Sequence, residues 1–395
     1  MINLKFKKET IYEFFLLFFT FHLCFISFPY LSFHSTIKYV LALIVGLLIA
    51  LRLPVFLKTV RRMDIIILLY IVCILISGFI NSNGHVITNT ILNSFAYVLS
   101  IIECIFVFEY MVLKKSMYFL AKIFSYILLV YVLLNDILLF LAPQLFVTKS
   151  TYYLVGNKFA VAFVHILLLI FLSVKHRMEN NGKRTLSTNI MHLALILLAL
   201  VISIRVDCMT GVMAVMIYVG LNIIPSRLFE SPIVLLLVAV FAVSFVTVFQ
   251  LILTNNFVSD FIVNTLNRDL TLTGRTNIYP YIPVVLKDHL LFGYGYGTSY
   301  ETWTSLVYFI PNSQNGLLDN IVETGLLATV LFTIYALWGV RRFKHSNPLN
   351  KKVYLPLIIV LYIYLIISSI EISTGFAYCA IAILLNTCSK SKFTN

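Results

Sequence analysis

The sequence is poor in charged residues. Asp, Glu, Lys and Arg make up 11% of its 395 residues, whereas hydrophobic residues make up 61%. Soluble domains carry about 25% charged residues, so the composition excludes an ordinary soluble domain and leaves no segment of useful size for a separate one. The chain also lacks sustained alternation of apolar and polar residues, which argues against a transmembrane β-barrel.

Cysteine patterns that hold disulfides or metals are absent as well. The six cysteines form no C-x-x-C pair and no His/Cys cluster, so we expect them to be small buried apolar residues. They are Cys24, Cys73, Cys104, Cys208, Cys379 and Cys388. No small-x-small cleavage site follows the first apolar run, which is also longer than a signal peptide allows. This run is therefore predicted to be the first spanning helix.

Long apolar runs occupy most of the chain. A helix that crosses a hydrocarbon core of about 30 Å needs about 20 mostly apolar residues, because each residue rises about 1.5 Å. The runs predict an all-α polytopic membrane protein with about twelve transmembrane helices in one domain, residues 1–395. The predicted spans are 11–33, 37–57, 63–80, 91–112, 117–141, 154–174, 190–205, 208–224, 232–253, 316–340, 353–370 and 373–388.

Basic residues determine the predicted orientation. Twenty of the 29 Lys and Arg residues fall in the segments on the same side of the membrane as the N-terminus, seven fall on the other side, and Arg52 and Lys122 lie within spans. Cytoplasmic loops carry the excess of Lys and Arg, so both termini are expected in the cytoplasm. The net charge of +13 is spread in short clusters between apolar runs, which indicates contact with anionic membrane lipid rather than nucleic acid.

One long segment, residues 254–315, is more hydrophilic than the apolar runs around it. It is predicted to be an extracytoplasmic loop between the ninth and tenth spans. Loops of this length usually have a role of their own. Apolar residues at helical spacing within 257–266 indicate a short amphipathic helix on the membrane surface. The apolar piece 278–292 contains Pro280 and Pro283, so we expect it to re-enter the membrane or lie flat rather than span it.

The loop contains an arginine in a turn sequence, Thr273-Gly274-Arg275-Thr276. Glycine permits a turn and leaves backbone amides open, and arginine presents a planar fork of donors that binds phosphate bidentately. These residues are therefore candidate pyrophosphate contacts. The alternative is a turn that holds an arginine at the lipid headgroups.

A second pattern alternates glycine with tyrosine from Phe292 to Gly297. Gly293 and Gly295 allow close approach of the backbone, and the flat faces of the tyrosines suit the binding of sugars. The alternative is an aromatic loop in the interfacial belt.

Polar residues mark the start of the tenth span. Asn315, Asp319 and Glu323 follow one another at i, i+4 and i+8, so they lie along one helix face. A polar face at the mouth of an apolar helix must point at protein or water. The pattern predicts either a binding site or an interhelical hydrogen-bond seam.

In their order and spacing, these motifs resemble those of the O-antigen ligase and polysaccharide polymerase (Wzy-type) superfamily. Members of that family carry T/S-G-R-T, then L-x-G-x-G, then H-N-x-x-L-x-x-x-x-E-x-G at the start of a late helix. The matching residues here are Thr273-Gly274-Arg275-Thr276, Gly293 with Gly295, and Asn315 with Leu318, Glu323 and Gly325. The motifs cover residues 270–326, and the layout of spans covers the whole chain.

The resemblance implies a metal-independent glycosyltransferase without a cofactor, with its site at the outer face of the bacterial cytoplasmic membrane. Such enzymes take a glycan from undecaprenyl pyrophosphate. A polymerase passes it to another lipid-linked repeat unit, in capsule or O-antigen synthesis, and a ligase passes it to a different acceptor. A chain-length regulator and a flippase are candidate protein partners.

A flippase for lipid-linked oligosaccharides is the alternative from another class of protein. A flippase needs a charged central cavity and no long outer loop. In this sequence the polar features gather at the outer mouth and the loop, and we find no internal repeat of the kind that many transporters show. The pattern therefore favours an enzyme.

The resemblance also implies roles for individual residues. Arg275 is implied to hold the pyrophosphate. Where family ligases carry His, this chain has Gln314, which is no general base near neutral pH, and this departure favours a polymerase over a ligase. His289 and Glu323 are then the candidates for handling the proton, although a loop histidine beside Asp288 has a plain alternative as an exposed side chain. Gly274, Thr276, Gly293, Gly295 and Asn315 are implied to bind substrate, and Asp319, on the polar face of the tenth span, is predicted to join them.

Charged residues outside the loop provide further candidates. Arg205 and Lys158 lie at the outer mouths of predicted spans and are candidate phosphate contacts, with an ion pair to Asp207 as the alternative for Arg205. Glu103 and Asp136 lie deeper, where intramembrane charge usually faces the bundle interior and is paired.

Overall fold

The computed structural model describes residues 8–26, 33–60, 63–145, 152–253, 255, 259–260, 263–264, 278–307, 310–371 and 375–390. Most of this described chain is α-helical. The helices are α1 (Lys8–Phe25), α2 (His34–Ala50), α3 (Leu53–Val60), α4 (Ile65–Ile80), α5 (Thr90–Leu113), α6 (Met117–Leu141), α7 (Lys158–Glu179), α8 (Leu186–Arg205), α9 (Met209–Ile223), α10 (Ser226–Phe229), α11 (Pro232–Leu253), α12 (Ile282–Leu286), α13 (Ser299–Leu306), α14 (Gly316–Lys344), α15 (Pro348–Ile367) and α16 (Gly375–Lys390). A two-stranded hairpin, β1 (Tyr152–Tyr153) and β2 (Gly156–Asn157), precedes α7.

Six of the described helices are long and apolar enough to cross a membrane, namely α5, α6, α7, α8, α14 and α15. Shorter apolar stretches of 10–17 residues form α4, α9, α16 and the first part of α11. Each predicted span overlaps a described helix, which confirms a helical chain suited to a membrane. The count of twelve crossings stays a prediction.

Helix α7 occupies the centre of the bundle. Its most apolar window is 83% buried inside the protein, whereas that of α8 is 17% buried. Helix α7 packs against α6, α8, α9 and α15. The outer face of α8 leaves Leu193 and Leu197 exposed, and an apolar surface of this kind is suited to contact with lipid.

The second predicted span, residues 37–57, differs from the structure. Two helices cover it, α2 and α3, and they are bent by 98° at a short break. Pro54 lies in the first turn of α3, where proline is tolerated, but it prevents α2 from continuing. Arg52 lies in the break, with its guanidinium 4.0 Å over the ring of Tyr12. Because a charged side chain is costly in the apolar layer of a membrane, this position of Arg52 indicates that the break lies at the end of the bundle.

The two ends of the bundle carry different chemistry. At the end that we call the basic end, Arg342 donates to both carboxylate oxygens of Asp64, at 2.6 and 2.7 Å. Lys390 lies 3.2 Å from Asp64 and 3.1 Å from Glu109, so this cluster joins α4, α5, α14 and α16. The opposite end, which we call the loop end, carries residues 81–89 and the described residues of 278–315.

The described part of the long loop contains only short helical pieces. Tyr279–Tyr281 forms a 3-10 turn, and α12 has five residues. Pro280 and Pro283 interrupt this apolar stretch, so it forms no long helix, as its prolines predicted. The amphipathic helix predicted within 257–266 falls almost entirely outside the described residues.

Candidate functional site

A break in α14 organises the loop end. Gly325 has φ 86° and ψ 165°, which is far from helical geometry and is readily adopted only by glycine. The break separates residues 316–324 from residues 326–344, so carbonyls of the first half and amides of the second lose their helical partners. In a membrane protein such groups must find partners in other segments.

The glycine–tyrosine segment supplies these partners. The amides of Tyr294 and Gly295 donate to the carbonyl oxygens of Val322 and Glu323, each at 2.8 Å. The reciprocal bonds run from the amides of Leu326 and Leu327 to the carbonyls of Leu290 and Leu291, at 2.8 and 3.3 Å. We call residues 290–295 paired with residues 322–327 the loop–helix interlock. It joins two of the motifs that the sequence analysis identified.

The glycines of the interlock are explained by this packing. A Cβ atom at Gly293 would lie 2.6 Å from the carbonyl oxygen of Val322, and one at Gly325 would collide with the backbone of Leu291. Both glycines also have positive φ angles, 65° and 86°, which side chains disfavour. The glycines at these motif positions therefore have a structural role, whether or not they also contact a substrate.

Asn315 and Asp319 fix the start of α14. The buried side chain of Asn315 accepts two backbone amides of the first turn, both at 3.1 Å, and donates to the carbonyl of Ala242 at 2.7 Å. Asp319 accepts the hydroxyl of Ser299 at 2.8 Å and the amide of Ser313 at 3.1 Å. These contacts match the hydrogen-bond seam, and a role for the two residues in substrate binding stays a prediction.

Glu323 lies inside the interlock itself. Its backbone carbonyl also accepts the hydroxyl of Ser77 at 3.2 Å, which ties α14 to α4. Its half-buried carboxyl group faces the backbone amides of Gly297 and Ser299 and lies within electrostatic range of Asp319. A carboxyl group in such a place is suited to accept a proton or a hydroxyl hydrogen bond.

Gln314 and His289, the other two candidates for work on the acceptor, have different surroundings. Gln314 is half-buried, adopts the left-handed conformation with φ 53°, and lies two residues before the first residue of α14. The ring of His289 stacks on Tyr294 with 3.8 Å between centroids, and its Nδ1 lies 3.3 Å from the carbonyl oxygen of Gly293. Because a carbonyl only accepts, this contact assigns the proton to Nδ1 and leaves the lone pair on Nε2 in the neutral ring.

The remaining predicted site residues are distributed elsewhere. Gly274, Arg275 and Thr276 lie outside the described residues. Lys158 begins α7 and contacts the turn after Arg205, with its Nζ 3.0 Å from the carbonyl oxygen of Asp207 and 4.0 Å from its carboxylate. The structure therefore brings Lys158 and the turn after Arg205 to one place at the bundle surface.

The two deep acids differ in their contacts. Asp136 lies 3.1 Å from Nε2 of His165, a buried pair between α6 and α7. Both carboxyl oxygens of Glu103 are buried, and the described residues give them no hydrogen-bond partner. The expectation of paired charge therefore holds for Asp136 and fails for Glu103 within this part of the chain.

Two charged residues at the loop end were not among the predicted site residues. Lys38, within the predicted span 37–57, lies in the second turn of α2 and lines two cavities. The signal was present, because a lone charge within an apolar run is by default a candidate for function. Glu301 was missed for another reason: its partners are backbone amides of a different loop, which no local pattern reveals.

Glu301 fastens the turn between α4 and α5 to α13. Its carboxylate accepts the amides of Val86, Ile87 and Thr88 at 2.7, 3.0 and 2.9 Å. Burial opposes the ionisation of this group, but the hydrogen bonds from these amides outweigh it and lower the pKa of Glu301 to about 2. The carboxylate therefore stays ionised across the whole physiological range.

We expect hydrogen exchange to report this contact. Because the pKa of Glu301 in the folded protein lies below the ordinary 4.5, its carboxylate contributes its full stabilisation above pH 4.5. This contribution is lost as the pH falls towards about 2. The protection factors of residues 86–88 should therefore not fall between pH 7 and pH 5, and Glu301→Gln should lower them about tenfold at both. Nδ1 of His85 also lies 3.7 Å from this carboxylate. The matched control is Glu230→Gln, which neutralises another carboxylate, one that lies 3.6 Å from Nζ of Lys351. Wild-type protection that falls between pH 7 and pH 5 would contradict the assignment.

Comparison with known proteins adds no assignment to this geometry. No protein-family model matches the chain, and no curated protein matches it. Any functional proposal therefore depends on the motifs, the interlock and the chemistry of the loop end.

Proposed function

We propose that this chain is a polysaccharide polymerase that joins undecaprenyl-pyrophosphate-linked repeat units at the outer face of the bacterial cytoplasmic membrane. The observation that carries the proposal is the loop–helix interlock. In it, the segments that carry the L-x-G-x-G and E-x-G motifs contact each other through four backbone hydrogen bonds, and one of these, from the amide of Gly295 to the carbonyl of Glu323, joins the two motifs themselves. Motifs that are separated in the chain but adjacent in space support one shared site.

The proposed reaction is a glycosyl transfer. An acceptor hydroxyl attacks the anomeric carbon of the donor glycan, a glycosidic bond forms, and the carbon–oxygen bond to pyrophosphate breaks. Undecaprenyl pyrophosphate leaves with the electron pair of that bond, and Arg275 stabilises its charge. The hydroxyl proton passes to Glu323 or to Nε2 of His289, while Gln314 orients the acceptor by hydrogen bonds.

Deletion of the gene in its host tests this function. The deletion strain should hold single repeat units on the lipid carrier at the outer face and no polymer ladder, and complementation should restore the ladder. An unchanged ladder would contradict the proposal. Repeat units that accumulate at the inner face would point to the flippase alternative.

The proposal includes twelve crossings, cytoplasmic termini and an outer loop at 254–315, and reporter fusions test this topology. We expect fusions at Lys183 and Lys344 to read cytoplasmic and a fusion at Glu301 to read extracytoplasmic. The reason is the excess of Lys and Arg on one side, twenty of 29 residues against seven. A cytoplasmic signal at Glu301 would place the loop on the wrong side for assembly outside the cell.

Gln314 should support the reaction without being essential to it. Gln314→Ala removes a hydrogen-bonding side chain and should reduce polymer about tenfold, because one such bond contributes about 1–1.5 kcal/mol. His289→Ala, assayed in parallel at equal protein level, tests the alternative base, and His289→Phe keeps a ring for stacking on Tyr294. If Gln314→Ala makes no polymer while His289→Ala is silent, Gln314 has a primary catalytic role and our assignment is wrong.

A further inference from the structure

Tyr296, the residue directly after interlock segment 290–295, lines a cavity near the loop end. The cavity has a volume of about 290 Å³, close to the lower limit of about 300 Å³ for sites that bind small molecules. We call it the Tyr296 cavity. Its wall contains one charged side chain and five side chains with hydrogen-bonding groups, namely Lys38, Tyr39, Asn93, Tyr97, Ser100 and Tyr296.

Lys38 brings a positive charge to the Tyr296 cavity. Its half-buried side chain makes no hydrogen bond and no ion pair with any residue that the structure describes, and the other described residues in the wall of the cavity are uncharged. An ammonium group that is withdrawn from water is costly unless an anion accompanies it. The cavity is therefore suited to a ligand that carries a negative charge.

The wall also offers both kinds of hydrogen-bonding group. The hydroxyl of Tyr39 donates to Oδ1 of Asn93, so the amino group of Asn93 is the part of that amide left to donate. The hydroxyl of Ser100 donates to the carbonyl oxygen of Ala96 at 2.8 Å and keeps lone pairs that can accept. Donors and acceptors on one wall suit a ligand with hydroxyl groups, which both donate and accept.

Two aromatic rings complete the wall. The rings of Tyr97 and Tyr296 are stacked, with 3.9 Å between centroids and 21° between planes. The hydroxyl of Tyr97 also lies 3.3 Å from that of Tyr70, which helps to hold the stack in place. Aromatic side chains combine an apolar surface with a polar group, and this suits the apolar and hydroxylated parts of a sugar ring.

The Tyr296 cavity adjoins the carboxyl group of Glu323. That group lies within electrostatic range of the hydroxyls of Tyr296 and Tyr70 and faces the amide of Gly297. In the proposed reaction Glu323 is a candidate proton acceptor, and such a group must lie within hydrogen-bond reach of the hydroxyl that attacks. A sugar in this cavity would therefore belong to the acceptor rather than to the donor.

We propose that the Tyr296 cavity binds an anionic sugar of the acceptor repeat unit, with its negative charge at Lys38 and its ring beside Tyr296. The assignment of this sugar to the acceptor rests on the proposed function, whereas its binding does not. The ligand chemistry is a negative charge attached to a hydroxylated ring, as in a uronic acid or a sugar phosphate. The pyrophosphate of the lipid carrier is another source of negative charge, and the test separates the two.

The test is a binding titration of the purified full chain in detergent, read by saturation-transfer NMR. The probe is methyl β-glucuronide, and methyl β-glucoside is the matched ligand, because the two differ only in the carboxylate. The glucuronide should bind about tenfold more tightly, since a hydrogen bond to a charged group is made only by this ligand. Acetate and inorganic pyrophosphate, which carry charge without a sugar ring, should not displace it at equal concentration.

The variants are read as the ratio of the two affinities, because a general loss of folding lowers both together. Lys38→Met should bring the ratio close to one, and Lys38→Arg should keep it. Tyr296→Ala should weaken both ligands and leave the ratio unchanged, because the ring contacts what the two ligands share. Lys122→Met is the matched control for charge and should keep the wild-type ratio, since Lys122 lies beside Tyr126 and does not line this cavity.

Three results would overturn the proposal: equal binding of the two ligands by the wild-type chain, a ratio that Lys38→Met leaves unchanged, or displacement of the glucuronide by acetate or pyrophosphate. These failures are distinguishable from a failure of the proposed function. A deletion strain that loses the polymer ladder, together with a wild-type ratio of one, would refute only the anionic sugar. A preference for the glucuronide in a chain whose deletion leaves the ladder intact would support the site and refute the polymerase.

Discussion

Gly325→Ala should abolish the polymer ladder and lower the thermal stability of the purified protein. Its φ of 86° and ψ of 165° belong to a region that only glycine adopts readily, so the substitution costs about 1–3 kcal/mol in backbone strain. The added Cβ would also collide with the backbone of Leu291 and Phe292, which separates the two sides of the interlock. Gly293→Ala should have a similar effect, because its Cβ meets the carbonyl oxygen of Val322.

Gly220→Ala is the matched control for these substitutions. Gly220 lies in α9, and a Cβ there meets nothing within 4 Å among the described atoms. Alanine is also the better helix former by about 1 kcal/mol, so this variant should keep wild-type ladders and equal or higher stability. Normal ladders from well-folded Gly325→Ala would show that the interlock is dispensable for function and would remove the observation that carries the proposed function.

Arg275→Ala should eliminate polymer, and Arg275→Lys should not fully restore it. In the proposed reaction Arg275 binds the leaving pyrophosphate, and loss of one preorganised donor to developing charge reduces the rate about 10²–10³-fold. Lysine keeps the charge but loses the planar bidentate fork. Both variants should reach the membrane at wild-type level, because a loop residue contributes little to helix packing.

The matched control is Arg268→Ala, which removes the same charge from the same loop. It should retain polymer, since Arg268 lies outside the T-G-R-T motif. Ladders of normal length from well-expressed Arg275→Ala would exclude Arg275 from the site. Equal loss in both arginine variants would indicate that the loop needs net charge rather than a specific pyrophosphate contact.

Hydropathy predicted the helices well, because burial in lipid or in a helix bundle selects apolar side chains regardless of partners. It failed where a helix changes direction. The bend between α2 and α3 depends on Pro54 and on the contacts of Arg52. The break at Gly325 depends on its pairing with residues 290–295, which lie about 30 positions earlier in the sequence. Both changes of helix direction occur inside apolar runs that hydropathy alone predicts to be single continuous helices.

The motifs of the candidate site could be identified from the sequence, and their function stays a prediction, but their contacts could not be identified in this way. Spacing placed Asn315, Asp319 and Glu323 on one face, and the structure separates them by role, with Asn315 and Asp319 engaged in the hydrogen-bond seam and Glu323 in the interlock. Glycine positions suggested close backbone approach, yet the partner of Gly293 and Gly295 was unknown. Pairing between distant backbone segments leaves no periodic signal in the sequence.

Reconstitution tests the proposed function most directly. The purified chain, inserted in liposomes with the lipid-pyrophosphate-linked repeat unit of its host on the outer-face side, should convert single units into a ladder. Release of one undecaprenyl pyrophosphate should accompany each linkage, and Arg275→Ala should do neither. The contrary result is a chain that forms no linkage and instead carries intact repeat units across the bilayer, which would make it a flippase.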